Sequence, residues 1–560
     1  MFRAEISRLS QSDIDVNNIK ALSEHQERAF KDIKSHFKTK DVVLLHGVTS
    51  SGKTEIYVKL IQEALDRGEQ VLYLLPEIAL TAQLINRLQH YFGDLVGIYH
   101  SRFNQNERIE IWNKVLTNDL QQYRIILGAR SSIFLPYTNL GLIIVDEEHE
   151  NSFKQYDPAP RYNARDVSIV LAIEHHAKVL LGSATPSIES YYNAKEGRYG
   201  LVELDQRYGG VKMPEILCAD LEKETKQKTI KSHFSSFLLS EMEVALEREE
   251  QIILFQNRRG YVPLWSCEMC NWTPQCKNCD VSLTYHKSSN ALKCHYCGFF
   301  MSPPSSCGAC GSRKLKMIGF GTEKIEDELA IYLPNANVQR MDFDTTRSKN
   351  AYANIISDFE NKRVDILVGT QMVTKGLDFE NVGLVGILSA DQMLKFPDFR
   401  AFERSYQLMS QVAGRAGRKN KRGKVIIQAF NPNHWVIQKV IQHDYIGLYT
   451  QEIIERRNFH YPPFYRIINV QLRHKNRDTV QFGAQYLAKT LTDVFKERVL
   501  GPEIPLISRV RNLYLQNITI KFERNASPKK VKDILTQKLD DFLAQHDFRS
   551  IRVVVDVDPQ

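Results

Sequence analysis

Residues Gly47-Val48-Thr49-Ser50-Ser51-Gly52-Lys53-Thr54 have the spacing G-x-x-x-x-G-K-[ST]. In such a loop the glycines let backbone N–H groups turn inward around phosphate oxygens. The helix start that follows would add partial positive charge, the Lys53 ammonium would reach the outer phosphates, and the Thr54 hydroxyl would ligate Mg²⁺. Further along, Leu142-Ile143-Ile144-Val145 runs into Asp146-Glu147-Glu148-His149. Adjacent carboxylates at the end of an apolar run need a cation to offset their burial. Asp146 is expected to hold Mg²⁺ through water, and Glu147 to orient and deprotonate an attacking water. Gln411-Val412-Ala413-Gly414-Arg415-Ala416-Gly417-Arg418 sets Arg415 and Arg418 three residues apart on one helix face. Guanidinium groups so placed suit the charge on a transferring phosphoryl group. Together these residues point to hydrolysis of a nucleoside triphosphate.

A second constellation points to metal. Eight of the 9 cysteines form four C-x-x-C pairs, Cys267/Cys270, Cys276/Cys279, Cys294/Cys297 and Cys307/Cys310, leaving Cys218 apart. Each pair makes a knuckle with two thiolates at zinc distance, so four pairs imply two tetrahedral S₄ sites. Gly298 and Gly311, just after their pairs, suit the turn. So many pairs in one stretch argue for zinc over redox chemistry, and complete thiolate sets make His286 and His295 superfluous as ligands. Ser282–His286 and Ala291–Lys293 read as a hairpin. It would bring Cys276, Cys279, Cys294 and Cys297 onto one ion and leave Cys267, Cys270, Cys307 and Cys310 for the other; an interleaved pairing stays open. With no open coordination position, both sites are expected to be structural.

Aromatic and basic residues interleave in Phe153-Lys154-Gln155-Tyr156 and Pro160-Arg161-Tyr162. Single-strand binders use that composition, with rings stacking on bases and cations tracking phosphates. Phe153, Lys154, Tyr156, Arg161 and Tyr162 are therefore candidate nucleic-acid contacts. The alternative is that Tyr156 and Tyr162 cover the acidic box as packing.

For the loop and acids to work they must sit at strand ends. Residues 41–182 alternate expected strands, Val42–Leu45, Val71–Leu75, Arg124–Leu127, Leu142–Val145 and Lys178–Leu181, with periodic segments such as Glu55–Arg67 and Ala79–Tyr91. That alternation predicts a parallel sheet with helices on both faces. It stops after Gly182-Ser183-Ala184-Thr185-Pro186 and resumes at Gln251–Phe255. Val338–Met341, Asp365–Val368, Leu384–Leu388 and Lys424–Gln428 continue it. The result is a second α/β lobe with the cysteine block inserted after its first strand. Lys223–Lys231 reads as a mobile polar link. The tail reads as mixed helix and strand beyond a turn at Tyr461-Pro462-Pro463-Phe464.

The 560 residues, with 43% hydrophobic and 25% charged, exclude wholesale disorder. The first residues lack an apolar secretory core and no run of apolar residues is long enough to span a bilayer, so a cytoplasmic, membrane-free protein is expected. Net charge is +8. Residues 431–560 carry 20 Lys and Arg against 14 Asp and Glu, which fits a polyanion partner or a solvated basic face equally.

In order along the chain, these motifs resemble the superfamily 2 helicases, and within them the replication-restart helicases of the primosome. The resemblance includes Leu22–Gln26, Pro76–Thr81, His100-Ser101, Gly128–Phe134 and Gly182–Ser187. In the second lobe it includes Gly319–Lys324, Asp342–Thr346 and Gly369–Phe379. It implies an α/β fold with two RecA-like parallel-sheet lobes, a two-zinc insertion in the second lobe and a C-terminal α+β domain. The implied division is 1–20 remnant, 21–205 first lobe, 206–264 linker and start of the second, 265–312 zinc insertion, 313–435 second lobe and 436–560 C-terminal domain. The resemblance assigns Gln26 to adenine and places Gly376 and Asp378 at the nucleotide. It makes the Phe153–Tyr162 stretch a loop coupling DNA contact to hydrolysis, and it uses the nested cysteine pairing.

It also implies a 3′→5′ ATP-dependent DNA helicase that recognises stalled forks and recruits primosome proteins, with single-stranded DNA-binding protein as partner and ATP, Mg²⁺ and two Zn²⁺ as cofactors. Relatives carry two DNA-binding domains before the core, expected here to be missing. Two other functions stay open: a duplex translocase that does not separate strands, and a zinc-ribbon docking platform whose ATPase is incidental.

Overall fold

The computed structural model describes residues 20–76, 82–100, 103–118, 121–257, 264–267, 269–270, 272–277, 282–286, 290–294, 299–318, 322–342, 345–346, 351–374, 379–396, 398–417 and 422–560. The chain forms two units, Met1–Gln256 with Glu326–Tyr449, and Asn257–Ile325 with Thr450–Gln560.

In the first unit seven strands, β1 (Val42–Gly47), β2 (Gln70–Leu74), β3 (Val96–Tyr99), β4 (Ile125–Gly128), β5 (Leu140–Asp146), β6 (Lys178–Ser183) and β7 (Gly200–Leu204), form a parallel sheet. Their order is β3-β4-β2-β5-β6-β1-β7. The central strands are apolar at consecutive positions because both faces are covered. Val43, Leu45 and Ile144 face one cluster with Ile33, Ile56 and Tyr57, from α1 (Glu24–Phe37) and α2 (Lys53–Asp66). Val42, Leu44 and Ile143 face another with Ala164, Ala172 and Tyr191, from α3 (Ala164–His175) and α4 (Ile188–Lys195).

The second parallel sheet has strands β8 (Glu215–Asp220), β9 (Gln251–Phe255), β10 (Val338–Met341), β11 (Ile366–Gly369), β12 (Val382–Ile387) and β13 (Lys424–Ala429). Their order is β10-β11-β9-β12-β13-β8. Two expectations are corrected here. The lobe begins with β8, so the cysteine insertion follows its second strand. Lys223–Lys231 is not a loop throughout: α5 (Leu221–Gln227) is helical, capped by Asp220, whose side chain accepts from the Lys223 N–H, and anchored by buried Leu221. A lysine-rich surface can still be one face of a short helix.

In the second unit, Leu264–Cys267 pairs antiparallel with Leu315–Ile318 at the base of the insertion. Thr284–His286, Ala291–Lys293 and Phe300–Met301 form a small antiparallel sheet. The C-terminal part centres on Tyr465–His474, flanked antiparallel by Leu513–Glu523 and Arg552–Val557. Helices Arg477–Phe495 and Pro528–Leu543 bring Leu487, Leu491, Leu535 and Phe542 into a core with Ile468, Val470, Ile518 and Ile520. Among the described residues no helix is long and apolar enough to cross a membrane.

Candidate active site and zinc centre

Register brings the chemistry together. Asp146 at the end of β5 pairs with Gly182 of β6, and Leu45 and His46 of β1 pair with Gly182 and Ser183. The acidic box, the segment after β6 and the loop after β1 thus leave the sheet side by side at its carboxyl edge. The loop reaches α2 through Gly52, which holds φ 80° and offers no side-chain cap to the first turn, where the Glu55 N–H donates to Gly52 O at 3.2 Å. Lys53 Nζ donates to Gly47 O at 2.9 Å. Ser50 Oγ and Ser51 Oγ are buried without a partner, which fits a loop shaped to receive phosphate oxygens. Gln26 does not stand free for a base. Its Nε2 donates to Ser51 O and Gly52 O at 3.3 and 3.2 Å, and its Oε1 accepts from Ser23 N–H in the capping box of α1.

The acids of the box diverge. Asp146 Oδ1 accepts from Tyr57 OH and from Glu147 N–H, both at 3.1 Å, and Oδ2 from Tyr73 OH at 3.3 Å. Burial, then the neighbouring Glu147 charge, pushes the Asp146 carboxyl up to about 6, against the pull of Lys53 and the Tyr57 hydroxyl. A crowded carboxyl pair facing an ammonium suits a divalent cation. Glu147 sits at φ 51°, a left-handed conformation uncommon outside glycine. His149 Nδ1 lies 2.7 Å from Ser183 Oγ and 3.6 Å from Glu147 Oε2. Glu148 turns into the core, where it accepts from Ser187 N–H at 2.7 Å, Ser190 Oγ at 2.8 Å and Arg165 Nη1 at 3.1 Å. Sequence reasoning missed Glu148, Tyr57 and Tyr73 as partners of the site; only the doubled Glu after Asp146 hinted at one of them.

The second lobe meets the segment after β6 through α6 (Ala401–Ala413). Ile188 N–H donates to Glu403 Oε1 at 2.9 Å, and Gln407 Nε2 to Thr185 O and Pro186 O at 3.2 and 3.3 Å. Arg400 Nη2 donates to Glu189 Oε1 at 2.8 Å. Just beyond α6, Arg415 lies within electrostatic reach of Glu147, whose charge opposes the burial that lowers the Arg415 pKa. The two lobes therefore bring Lys53, Asp146, Glu147 and Arg415 to one place. Arg418, Gly376 and Asp378 lie outside the described residues, as do Glu77–Thr81 and Gly319–Gly321.

The aromatic–basic segment needs a correction. Phe153 and Lys154 are each 1% exposed, and Lys154 Nζ donates to Arg161 O at 3.0 Å. Lys154 and Asn163 form a β-bridge, and Gln155 N–H donates to Tyr162 O at 2.8 Å. The Lys154 side chain closes the loop and Phe153 packs in the core, a distinction composition does not carry. Tyr156 is exposed and Arg161 and Tyr162 are partly so. Tyr162 packs edge-on against Phe134 at 4.8 Å, an exposed ring that composition did not single out.

Among the cysteines, the Sγ atoms of Cys267, Cys270, Cys307 and Cys310 lie within 4.8 Å of one another. Cys267–Cys310 and Cys270–Cys307 separations are 3.6 and 3.5 Å. Thiolates around a zinc ion at about 2.3 Å stand roughly 3.8 Å apart, so these four fit the ion. N–H groups of Ala309 and Cys310 point at Cys307 Sγ at 3.3 and 3.4 Å, as a thiolate knuckle requires. The first and fourth pairs are thus together. Cys276 and Cys294 are buried beside Leu283 and Leu292; Cys279 and Cys297 lie outside the described residues.

Two parallel-sheet lobes sharing a phosphate loop, an acidic box and a cross-lobe arginine define a RecA-like, helicase-type fold. Residues 23–194 match the DEAD/DEAH box helicase model and 312–420 the helicase conserved C-terminal domain. Residues 276–300 match the PriA DNA helicase Cys-rich region domain, and 457–560 the primosomal protein N C-terminal domain. The chain is 40% identical over 542 residues to replication restart protein PriA of Bacillus subtilis (96% of this chain, 66% of that protein). For the proteins of the same name, identity is 37% for Synechocystis (100% and 67%) and 36% for Haemophilus influenzae (98% and 73%). The chain belongs to the replication restart protein PriA family. It spans about two thirds of the length of the first two of these relatives.

Proposed function

We propose that the chain is an ATP-driven 3′→5′ DNA helicase that acts at stalled or collapsed replication forks, exposes single strand and initiates primosome assembly. The observation that supports this most is the convergence of Lys53, Asp146 and Glu147 from one lobe with Arg415 from the other. In this reading Lys53, the loop N–H groups and the Ser50 and Ser51 hydroxyls hold the triphosphate. Thr54 and Asp146 would hold Mg²⁺, which neutralises charge on the outer phosphates when bound. Glu147 orients and deprotonates the attacking water, and Arg415 with Arg418 stabilises the developing charge. Gly376 and Asp378 complete the nucleotide side. Because Glu403 and Gln407 hold the segment after β6, hydrolysis is tied to the position of the lobes.

Tyr156, Arg161 and Tyr162, joined by Phe134, offer stacking and phosphate contacts to a DNA strand. Two zinc ions, one on Cys267, Cys270, Cys307 and Cys310 and one on Cys276, Cys279, Cys294 and Cys297, hold the insertion for docking. Partners are DNA, primosome proteins and single-stranded DNA-binding protein, in the cytoplasm. The test is ATP turnover without DNA, with single strand, and with forks that have or lack a 3′ leading end. DNA should raise turnover by roughly tenfold or more, and Lys53→Ala should abolish it. Turnover indifferent to every DNA would overturn the motor reading, and displacement from 5′ tails alone would overturn the polarity.

A further inference from the structure

The linker between the lobes is stitched to both. Leaving β7, Leu204 O accepts from Val48 N–H at 3.0 Å and Tyr208 N–H donates to Ser50 O at 2.9 Å, so the chain runs along the phosphate loop. At its far end Met213 O accepts from Arg422 Nε at 3.0 Å, Pro214 O lies 3.0 Å from His443 Nε2, and Glu215 N–H donates to Gly423 O at 2.9 Å. At the near end, between Leu204 and Tyr208, stands Arg207, 6% exposed.

Its three nitrogens each donate to a backbone carbonyl: Nε to Thr49 O at 3.2 Å, Nη2 to Gly414 O at 3.2 Å and Nη1 to Gly417 O at 3.3 Å. Thr49 belongs to the phosphate loop, and Gly414 and Gly417 flank Arg415. Gly414 lies so close to the loop that a Cβ there would come within 2.6 Å of Thr49 Cγ2. Among the described residues no carboxylate pairs with Arg207. A buried guanidinium without a counter-charge is costly, and its planar fork suits several carbonyls at once, which an ammonium cannot reproduce.

We propose that Arg207 is a positioning residue for hydrolysis: bonded at once to Thr49 O, Gly414 O and Gly417 O, it sets where Arg415 stands relative to the phosphate loop. This rests on the reading of Lys53, Glu147 and Arg415 as one hydrolytic centre. The contacts of the Arg207 guanidinium are the backbone carbonyls of Thr49, Gly414 and Gly417, so the role proposed for it runs through the placement of Arg415.

The experiment is steady-state ATP hydrolysis by the full chain with single-stranded DNA, comparing Arg207→Gln, Arg207→Lys, Arg415→Ala and the Arg207→Gln/Arg415→Ala double variant. Arg415→Ala and Arg207→Gln should each lower kcat by roughly tenfold or more, with KM for ATP within about twofold of wild type. Arg207→Lys should fall between, since one ammonium cannot span three carbonyls. The double variant should be no slower than Arg415→Ala, because one residue works through the other. Losses that multiply in the double variant, or an Arg207→Gln that raises KM and spares kcat, would overturn the positioning role while the hydrolytic reading stands. Wild-type turnover in Arg415→Ala would overturn both. If thermal unfolding shows Arg207→Gln unfolded, Arg207→Lys alone and combined with Arg415→Ala carries the same two readouts.

Discussion

Asp146 is held by two tyrosine hydroxyls and one backbone N–H, yet its carboxyl is pushed up to about 6 by burial and by Glu147. A carboxyl raised above its ordinary value favours the protonated fold. Its contribution to metal-free stability is therefore present at pH 4 and is lost as pH rises through 6, by up to ~3 kcal/mol. Cation binding has the opposite sign, since it needs the carboxylate. Affinity for Mg²⁺ with ADP should weaken about tenfold per pH unit below 6, and Asp146→Asn should flatten that dependence. Calorimetric titration from pH 5 to 7 checks both; a flat wild-type profile would show that the carboxyl is not so crowded. Neighbouring Glu147 and Glu148 have separate fates because the backbone turns at Glu147 with φ 51°. One carboxylate lies near Arg415 and the next enters the core, a division that two adjacent Glu letters do not announce.

At the scale of elements, Glu148 ties together parts that would otherwise meet only through apolar packing. It joins the end of β5 to the start of α4 through Ser187 and Ser190, and to α3 through Arg165. Removing one partner of a buried charged knot costs about 3–5 kcal/mol, whereas replacing both with apolar groups costs less. Glu148→Ala should destabilise the fold by that amount in urea unfolding, and adding Arg165→Met should recover part of it. A double variant weaker than the single would argue that Asp166, which also pairs with Arg165, dominates. Within the two parallel sheets the strands that escaped sequence reading are β3, β7 and β8, and all three are sheet edges. Central strands such as β2 are buried at every position, whereas β7 and β8 carry exposed residues within them. An edge strand faces solvent on one side and does not need the continuous apolar run that marks a parallel strand's core.

For the molecule as a whole, each unit has its own apolar core. Among the described residues of the insertion the buried cluster is Cys276, Leu283, Leu292 and Cys294, small for a segment of that length, so metal is expected to hold it folded. Zinc analysis should find two ions per chain. Chelation should melt the insertion, seen as a lost low-temperature transition, while DNA-free ATP turnover persists. Loss of that basal turnover with zinc would mean that the insertion supports the motor directly.

The phosphate loop, the acidic box, the C-x-x-C knuckles and the central strands could be read from the chain alone, because each is a contiguous segment whose chemistry depends on its own backbone path. Tertiary structure alone decided that Phe153 and Lys154 are packing residues and that Gln26 braces the loop, and it selected the grouping of Cys267 and Cys270 with Cys307 and Cys310 that the hairpin had already favoured over an interleaved one. It also decided that Arg207 bridges residues 49, 414 and 417. Those outcomes depend on contacts between distant positions, and a side chain's type carries no address for the partner that folding will bring to it.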